Sequence, residues 1–287
     1  MKILLICLMV FSTSVFAVNN GVSIHKKHNP VPQEMFKIKI KATTNNTAFL
    51  VNLESPINLI IQWGDKKSDT YTYAGNRLQV HTYKKGGTYT IGMYGSVTNI
   101  DFFTNTNTTN LITEINPIKG ISGLSRCTST FRNCKNITTI PVDMFRYVPD
   151  VTDFTFTFFD CIGLTSIPSN LFEYQTYAHT FQFAFSNCVG LTSIPNDLFI
   201  HNSYLSNIDS IFRGCNKITS IPSDFLNTSN NPHFTSAINS FRDCVALNGE
   251  APELWNLING IVIPIGDYCF NGDVGLTNYN SIPAGWK

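Results

Sequence analysis

The strings "LTSIPSNLF" at Leu164 and "LTSIPNDLF" at Leu191 are nearly the same, and "ITSIPSDFL" follows at Ile218. Each copy comes after a Phe-x-x-Cys, so the repeating unit is larger than nine residues. Aligned on that motif, the units fall at Phe131/Cys134, Phe158/Cys161, Phe185/Cys188, Phe212/Cys215 and Phe241/Cys244. A sixth, Phe270/Asp273, carries Asp in the Cys position. The intervals are 27, 27, 27, 29 and 29 residues. A period in this range constrains the fold more than any other feature. Each unit is too small to bury its apolar face alone and must bury it against its neighbours.

Apolar residues recur four and seven places before each Phe: Phe154 and Val151, Phe181 and Ala178, Ile208 and Leu205, Cys127 and Leu124. This spacing predicts a short helix with one buried face, ended by the Cys. Leu-Thr-Ser-Ile then reads as a short strand stopped by Pro, which cannot extend a ladder. Its expected neighbour is the same strand one unit on, about 4.8 Å away. The last unit, "CFNGDVGLTNYNSIPAGWK", departs from the pattern, as terminal units do.

The chain opens "MKILLICLMVFSTSVFAVNN", with one Lys, an apolar run and Val15-x-Ala17. This layout predicts a secretory signal peptide over 1–17, with no membrane span elsewhere. Residues 18–35 read as an extended arm. "FKIKIKA" then alternates with a period of two, and "AFLVNL", "INLIIQW", "LQVHTY" and "GTYTIGMYG" follow between turn residues. These short strands predict a small antiparallel β-sandwich over 36–103, joined by a linker at 104–110 to the repeats at 111–287. Removing Lys2 with the signal leaves nineteen basic and nineteen acidic residues. Nucleic-acid binding needs a basic face to neutralise phosphate, and none is expected here.

"WGD" at Trp63 and "HTYKKGGTYTIGMYG" from His81 resemble the PKD-like domains of bacterial surface proteins, although Lys66 stands where those have Gly. In the turn, Asp65 is expected to hydrogen-bond its own backbone. The pattern V-T-x-F-x-x-x-F-x-x-C-x-x-L-T-S-I, at Val151 to Ile167, resembles the leucine-rich repeats of BspA-like bacterial surface proteins. That resemblance implies a mainly β chain with short helices: a PKD-like sandwich followed by a right-handed leucine-rich-repeat-type solenoid of about six units. It also implies a secreted or surface-displayed protein linked to adhesion, colonisation and virulence, and it favours a bacterial host.

Seven Cys remain after the signal, an odd number, so at least one does not pair within the chain. Each repeat Cys holds the same place in its unit, and Cys127 fills the slot of Phe154 and Phe181, which points to packing as small apolar residues. Disulfides between stacked neighbours are the alternative. No Cys-x-x-Cys supports a metal site.

No catalytic or cofactor-binding motif accompanies the six His, and His25 and His28 lie in the arm. The candidate binding surface lies in the Leu-Thr-Ser-Ile segments. Their apolar ends are expected to point inward, leaving Thr138, Thr165, Ser166, Thr192, Ser193, Thr219 and Ser220 to stack into a hydroxyl ladder. Thr139 extends it at one end, and Asn248, Gly249, Thr277 and Asn278 at the other. Thr also suits a strand on packing grounds alone. The expected function is that of a secreted, non-enzymatic binding protein. It would be an adhesin or colonisation factor recognising a host cell-surface or extracellular-matrix protein or glycan. The alternative is an assembly subunit docked to a bacterial surface apparatus through its arm. A secreted hydrolase or toxin is a third class, for which the sequence offers no site.

Overall fold

The computed structural model describes residues 34–103, 105–224, 226, 232–256 and 265–287. The signal peptide and the arm up to residue 33 lie outside the described residues. Alternation in "FKIKIKA" becomes β1 (Phe36–Ala42), with Phe36, Ile38, Ile40 and Ala42 buried. β2 (Thr47–Glu54), β3 (Ile57–Gln62), β4 (Ser68–Tyr71), β5 (Asn76–Tyr83), β6 (Gly87–Ser96) and β7 (Asn99–Asp101) follow. The larger sheet runs β4-β3-β6-β1 and the smaller β5-β2-β7, all antiparallel. The sheets pack face to face through Phe36 against Phe102 (6.4 Å) and Phe49 against Trp63 (6.5 Å).

Hydrogen bonding does not stop at residue 103. A helical turn, α1 (Thr106–Thr109), sits on the smaller sheet, where Thr108 Oγ1 accepts the Leu50 N–H at 3.3 Å. β8 (Ile112–Ile115) then pairs antiparallel with β1, and β9 (Ile121–Ser122) pairs parallel with β6. The segment expected to be a linker is therefore packed against the sheets. The first residues assigned to the repeats complete the larger sheet. Phe131 touches both Phe36 (6.3 Å) and Phe102 (6.0 Å), so one core runs continuously from Phe36 to Trp286.

The fold is mainly β with very few helices, and the helix expected in each unit is absent. Among the described residues the only α-helix is α1. In the unit spanning Val151–Cys161, two sets of backbone bonds interleave. The N–H groups of Phe154, Phe156, Phe158 and Asp160 donate to Thr180, Gln182, Ala184 and Ser186 of the next unit at 3.0, 2.9, 2.9 and 2.8 Å. Between them, Thr157, Phe159 and Cys161 donate three residues back within the unit, at 3.1, 3.2 and 3.2 Å. The cause is a left-handed residue on each side of the central Phe: φ is +57° at Phe156 and +58° at Asp160. An L-residue helix does not tolerate that sign of φ. The N–H of each left-handed residue points sideways to the neighbouring unit, while the N–H that follows it turns back within its own unit. Two tight turns in succession still place residues 154 and 158 on the same inner side, which is why the apolar spacing imitated a helix. Parallel bridges link Arg126, Asp153, Thr180, Asn207, Ser236 and Ile265 in turn.

The strand expected at Leu-Thr-Ser-Ile is likewise not formed. It contributes a sparse set of contacts between units, such as Thr165 N–H to Thr138 O at 3.3 Å and Asn248 N–H to Thr219 O at 3.0 Å. The ladder lies in the turn segment instead. Inside it the rings of Phe131, Phe158, Phe185, Phe212, Phe241 and Phe270 stack at 5.4, 5.5, 5.6, 5.8 and 5.6 Å. Chains in adjacent units approach closely two residues after Cys161 and Cys188, at Gly163 and Gly190. A Cβ added at Gly190 would lie 2.5 Å from the Leu164 carbonyl oxygen, so only glycine fits. At the far end, Tyr268 and Phe270 donate to Gly285 O and Trp286 O at 2.9 and 2.8 Å. Gly285 and Trp286 thus supply the carbonyls that a following unit supplies elsewhere.

Candidate binding face

A turn after each Cys sets which side chains face out. Leu164, Leu191 and Ile218 each donate their N–H to the Cys three residues before, at 3.0, 3.0 and 3.2 Å. That closure points Leu164 and Ile167, Leu191 and Ile194, and Ile218 and Ile221 into the core. Thr138, Thr139, Thr165, Ser166, Thr192, Ser193, Thr219 and Ser220 are all exposed, in register from unit to unit. Thr165 Oγ1 donates to Thr138 O at 3.3 Å, tying adjacent rungs on this face. The structure thus brings the expected hydroxyl residues together in one row, although the backbone beneath them is not a strand.

Behind the row lies a thiol ladder. Cys161, Cys188, Cys215 and Cys244 donate through Sγ to the carbonyls of Phe131, Phe158, Phe185 and Phe212, each at 3.1 Å. All seven described cysteines are free and buried, Cys134 among them. Burial pushes every one of these thiols well above its ordinary range. Such thiols are structural and unreactive, because the thiolate is the nucleophile. In the sixth unit Asp273 takes the Cys position. It is fully buried, and neither carboxylate oxygen has a well-formed hydrogen bond. Burial pushes its carboxyl up to about 8, opposed by the nearby Cys244 backbone N–H and helped by the neighbouring Asp243.

The "WGD" string closes a turn, as expected: Asp65 Oδ1 accepts the Lys67 N–H at 3.2 Å. Its other oxygen meets His81 Nε2 at 3.0 Å, and the imidazole stacks on Trp63 at 4.6 Å. Burial holds His81 below its ordinary value, against the pull of Asp65. Trp63 and His81 are buried in this cluster, while Asp65 is partly exposed and also pairs with Lys67 at 3.7 Å. Among the described residues, no three His, Cys, Asp or Glu are grouped to hold a metal ion. No helix among them is long and apolar enough to cross a membrane.

Sequence reasoning missed an aromatic column on another edge of the stack. Tyr177 lies against Tyr204 at 5.2 Å, and Tyr204 against His233 at 5.1 Å, with both tyrosines exposed. Their spacing of 27 and 29 residues was a visible signal. No protein-family model, curated protein or solved structure matches the chain. The BspA-like and PKD-like resemblances therefore rest on the residues quoted above.

Proposed function

We propose that this chain is a secreted, non-enzymatic binding protein whose 27–29-residue units build a leucine-rich-repeat-type solenoid. Its role is that of an adhesin or colonisation factor, and its ligand is a host cell-surface or extracellular-matrix protein or glycan. The observation carrying this reading is the row of exposed hydroxyl pairs, held in register by a buried phenylalanine stack and thiol ladder. Regular faces of stacked units are the surfaces such proteins use for binding. A preorganised row also loses little freedom when a ligand docks.

The test uses residues 18–287, because β8 and β9 tie the first repeat residues into the larger sheet. The protein and its Thr165→Lys/Thr192→Lys variant are compared on arrays of glycans and extracellular-matrix proteins. The expected result is a ligand whose affinity falls about tenfold or more in the variant, at least about 1.4 kcal/mol. Equal binding by both proteins would reject the hydroxyl row as the platform.

A further inference from the structure

Where the sheets meet the first two units, the surface folds into an open groove of about 820 Å³. Four segments far apart in sequence build it. Thr43 and Thr44 come from the turn after β1, while Thr47, Ala48 and Leu50 come from β2. Asn107 and Asn110 come from the α1 region. Lys135 and Asn136 follow the first repeat Cys, and Ile162 follows the second. The walls are fixed to one another. Asn136 Nδ2 donates to Asn110 O at 2.6 Å, joining the first unit to the α1 region. Thr47 Oγ1 donates to Thr44 O at 2.6 Å, holding the β1–β2 turn.

The lining has a definite chemistry. Lys135 is its one charged side chain, and Asp160 already pairs with it at 3.4 Å. A phosphate or nucleic-acid ligand, which needs uncompensated cations, finds none. A wholly apolar ligand would strip water from threonine hydroxyls and asparagine amides and give nothing back. The remaining match is a neutral ligand with hydroxyl groups on its rim and C–H groups on its faces. Asparagine amides both donate and accept, as sugar hydroxyls do. Ala48, Leu50 and Ile162 offer an apolar surface for a sugar ring's C–H face.

We propose that this junction groove is a binding subsite for a neutral saccharide. The proposal rests on the reading of the chain as an extracellular binding protein, and it places part of recognition outside the repeat face. The groove needs both the sheets and the repeats, so neither part alone would carry it.

The test uses residues 18–287 expressed in a bacterium, which leaves Asn107 and Asn136, each the first residue of an Asn-x-Thr glycosylation sequon, unmodified. The protein is screened on an array of neutral and acidic oligosaccharides, and affinities for the neutral ones are then measured in solution. Two groove variants, Ala48→Arg and Asn107→Ala, and the Thr165→Lys/Thr192→Lys variant are run beside it. Circular dichroism confirms that each is folded. Ala48 is exposed on β2, so the arginine enters the groove without disturbing the core. Binding of neutral saccharides that falls about tenfold in Ala48→Arg and less steeply in Asn107→Ala is the expected result. Unchanged neutral-saccharide binding in both groove variants would overturn the proposal, as would binding to acidic glycans or proteins alone. If the hydroxyl-row variant alone loses binding, the groove is rejected and the binding-protein reading stands. If the unmodified protein binds nothing on either array, both fall.

Discussion

Asp273→Cys is expected to stabilise the protein at neutral pH and to flatten its stability between about pH 4 and pH 8. Asp273 sits in the thiol ladder with no exposure, and neither oxygen has a well-formed hydrogen bond, the Cys244 backbone N–H offsetting only part of the cost of burial. In the unfolded chain its carboxyl ionises near the ordinary value of 3.8, whereas burial holds the folded-state value up at about 8. Between those values the folded protein keeps a proton that the unfolded chain has released. Stability therefore falls as pH rises through this window, by up to about 1.4 kcal/mol per pH unit, and levels off above it. A cysteine restores the group used in the other units, where Sγ donates to a Phe carbonyl one unit back at 3.1 Å. Asp101, which burial pushes up to about 6, is shared by both proteins and cancels in the comparison. The measurement is chemical denaturation at several pH values. Parallel profiles for the two proteins would mean that Asp273 finds a charge partner or water in solution.

The second large effect separates two phenylalanines two residues apart. Phe185 is fully buried between Phe158 at 5.5 Å and Phe212 at 5.6 Å. Phe185→Ala opens a ring-sized gap in the middle of the stack, and the expected loss is about 3–5 kcal/mol. Phe183 is only half-buried and has φ of +55°, a conformation that asparagine adopts more readily than phenylalanine. Asn239 already occupies the equivalent place two units on. Phe183→Asn forfeits the ring contact with Phe156 at 4.7 Å but relieves the backbone, so a net cost of about 1 kcal/mol or less is expected. Denaturation of both variants checks the contrast. Similar losses would show that the surface phenylalanines carry as much of the packing as the inner stack.

The same contrast explains what was legible in the sequence. Positions that touch their own copies in the next unit repeat in kind, so Phe158, Cys161, Leu164 and Ile167 announced the core. Thr165 and Ser166 announced the exposed row in the same way. Backbone conformation was harder to read. Apolar residues four apart suit a helix, and they also suit two successive turns with a left-handed residue between them. One signal did distinguish the two. Two residues after each central Phe stand Asn133, Asp160, Asn187, Gly214, Asp243 and Gly272, all at positive φ. Asparagine, aspartate and glycine tolerate that region, and their recurrence there argues against a helix. At the other left-handed position only Asn239 gives that warning; Ser129, Phe156, Phe183, Ser210 and Tyr268 do not. Leu-Thr-Ser-Ile looked like a strand because Ile and Thr favour strands. The amides that reach the next unit belong instead to the turn segment, where left-handed residues aim them. β8 and β9 were hidden for a different reason. "ITEI" adjoins the repeats in sequence but finds its partner, β1, more than seventy residues earlier. The groove was illegible because no single segment contains it.

The units are joined chiefly through the turn segments, with only sparse bonds through Leu-Thr-Ser-Ile, whose hydroxyl residues stay exposed. Residue-resolved hydrogen exchange on residues 18–287 tests this most directly. Slow exchange is expected at Phe154, Phe156, Phe158 and Asp160, and at Phe181, Phe183, Phe185 and Asn187, whose amides all bond to the next unit. Fast exchange is expected at Ser166 and Ser193. Protection of Ser166 and Ser193 together with rapid exchange at Phe156 and Phe183 would contradict the account, and would return the ladder to the strand that the sequence suggested.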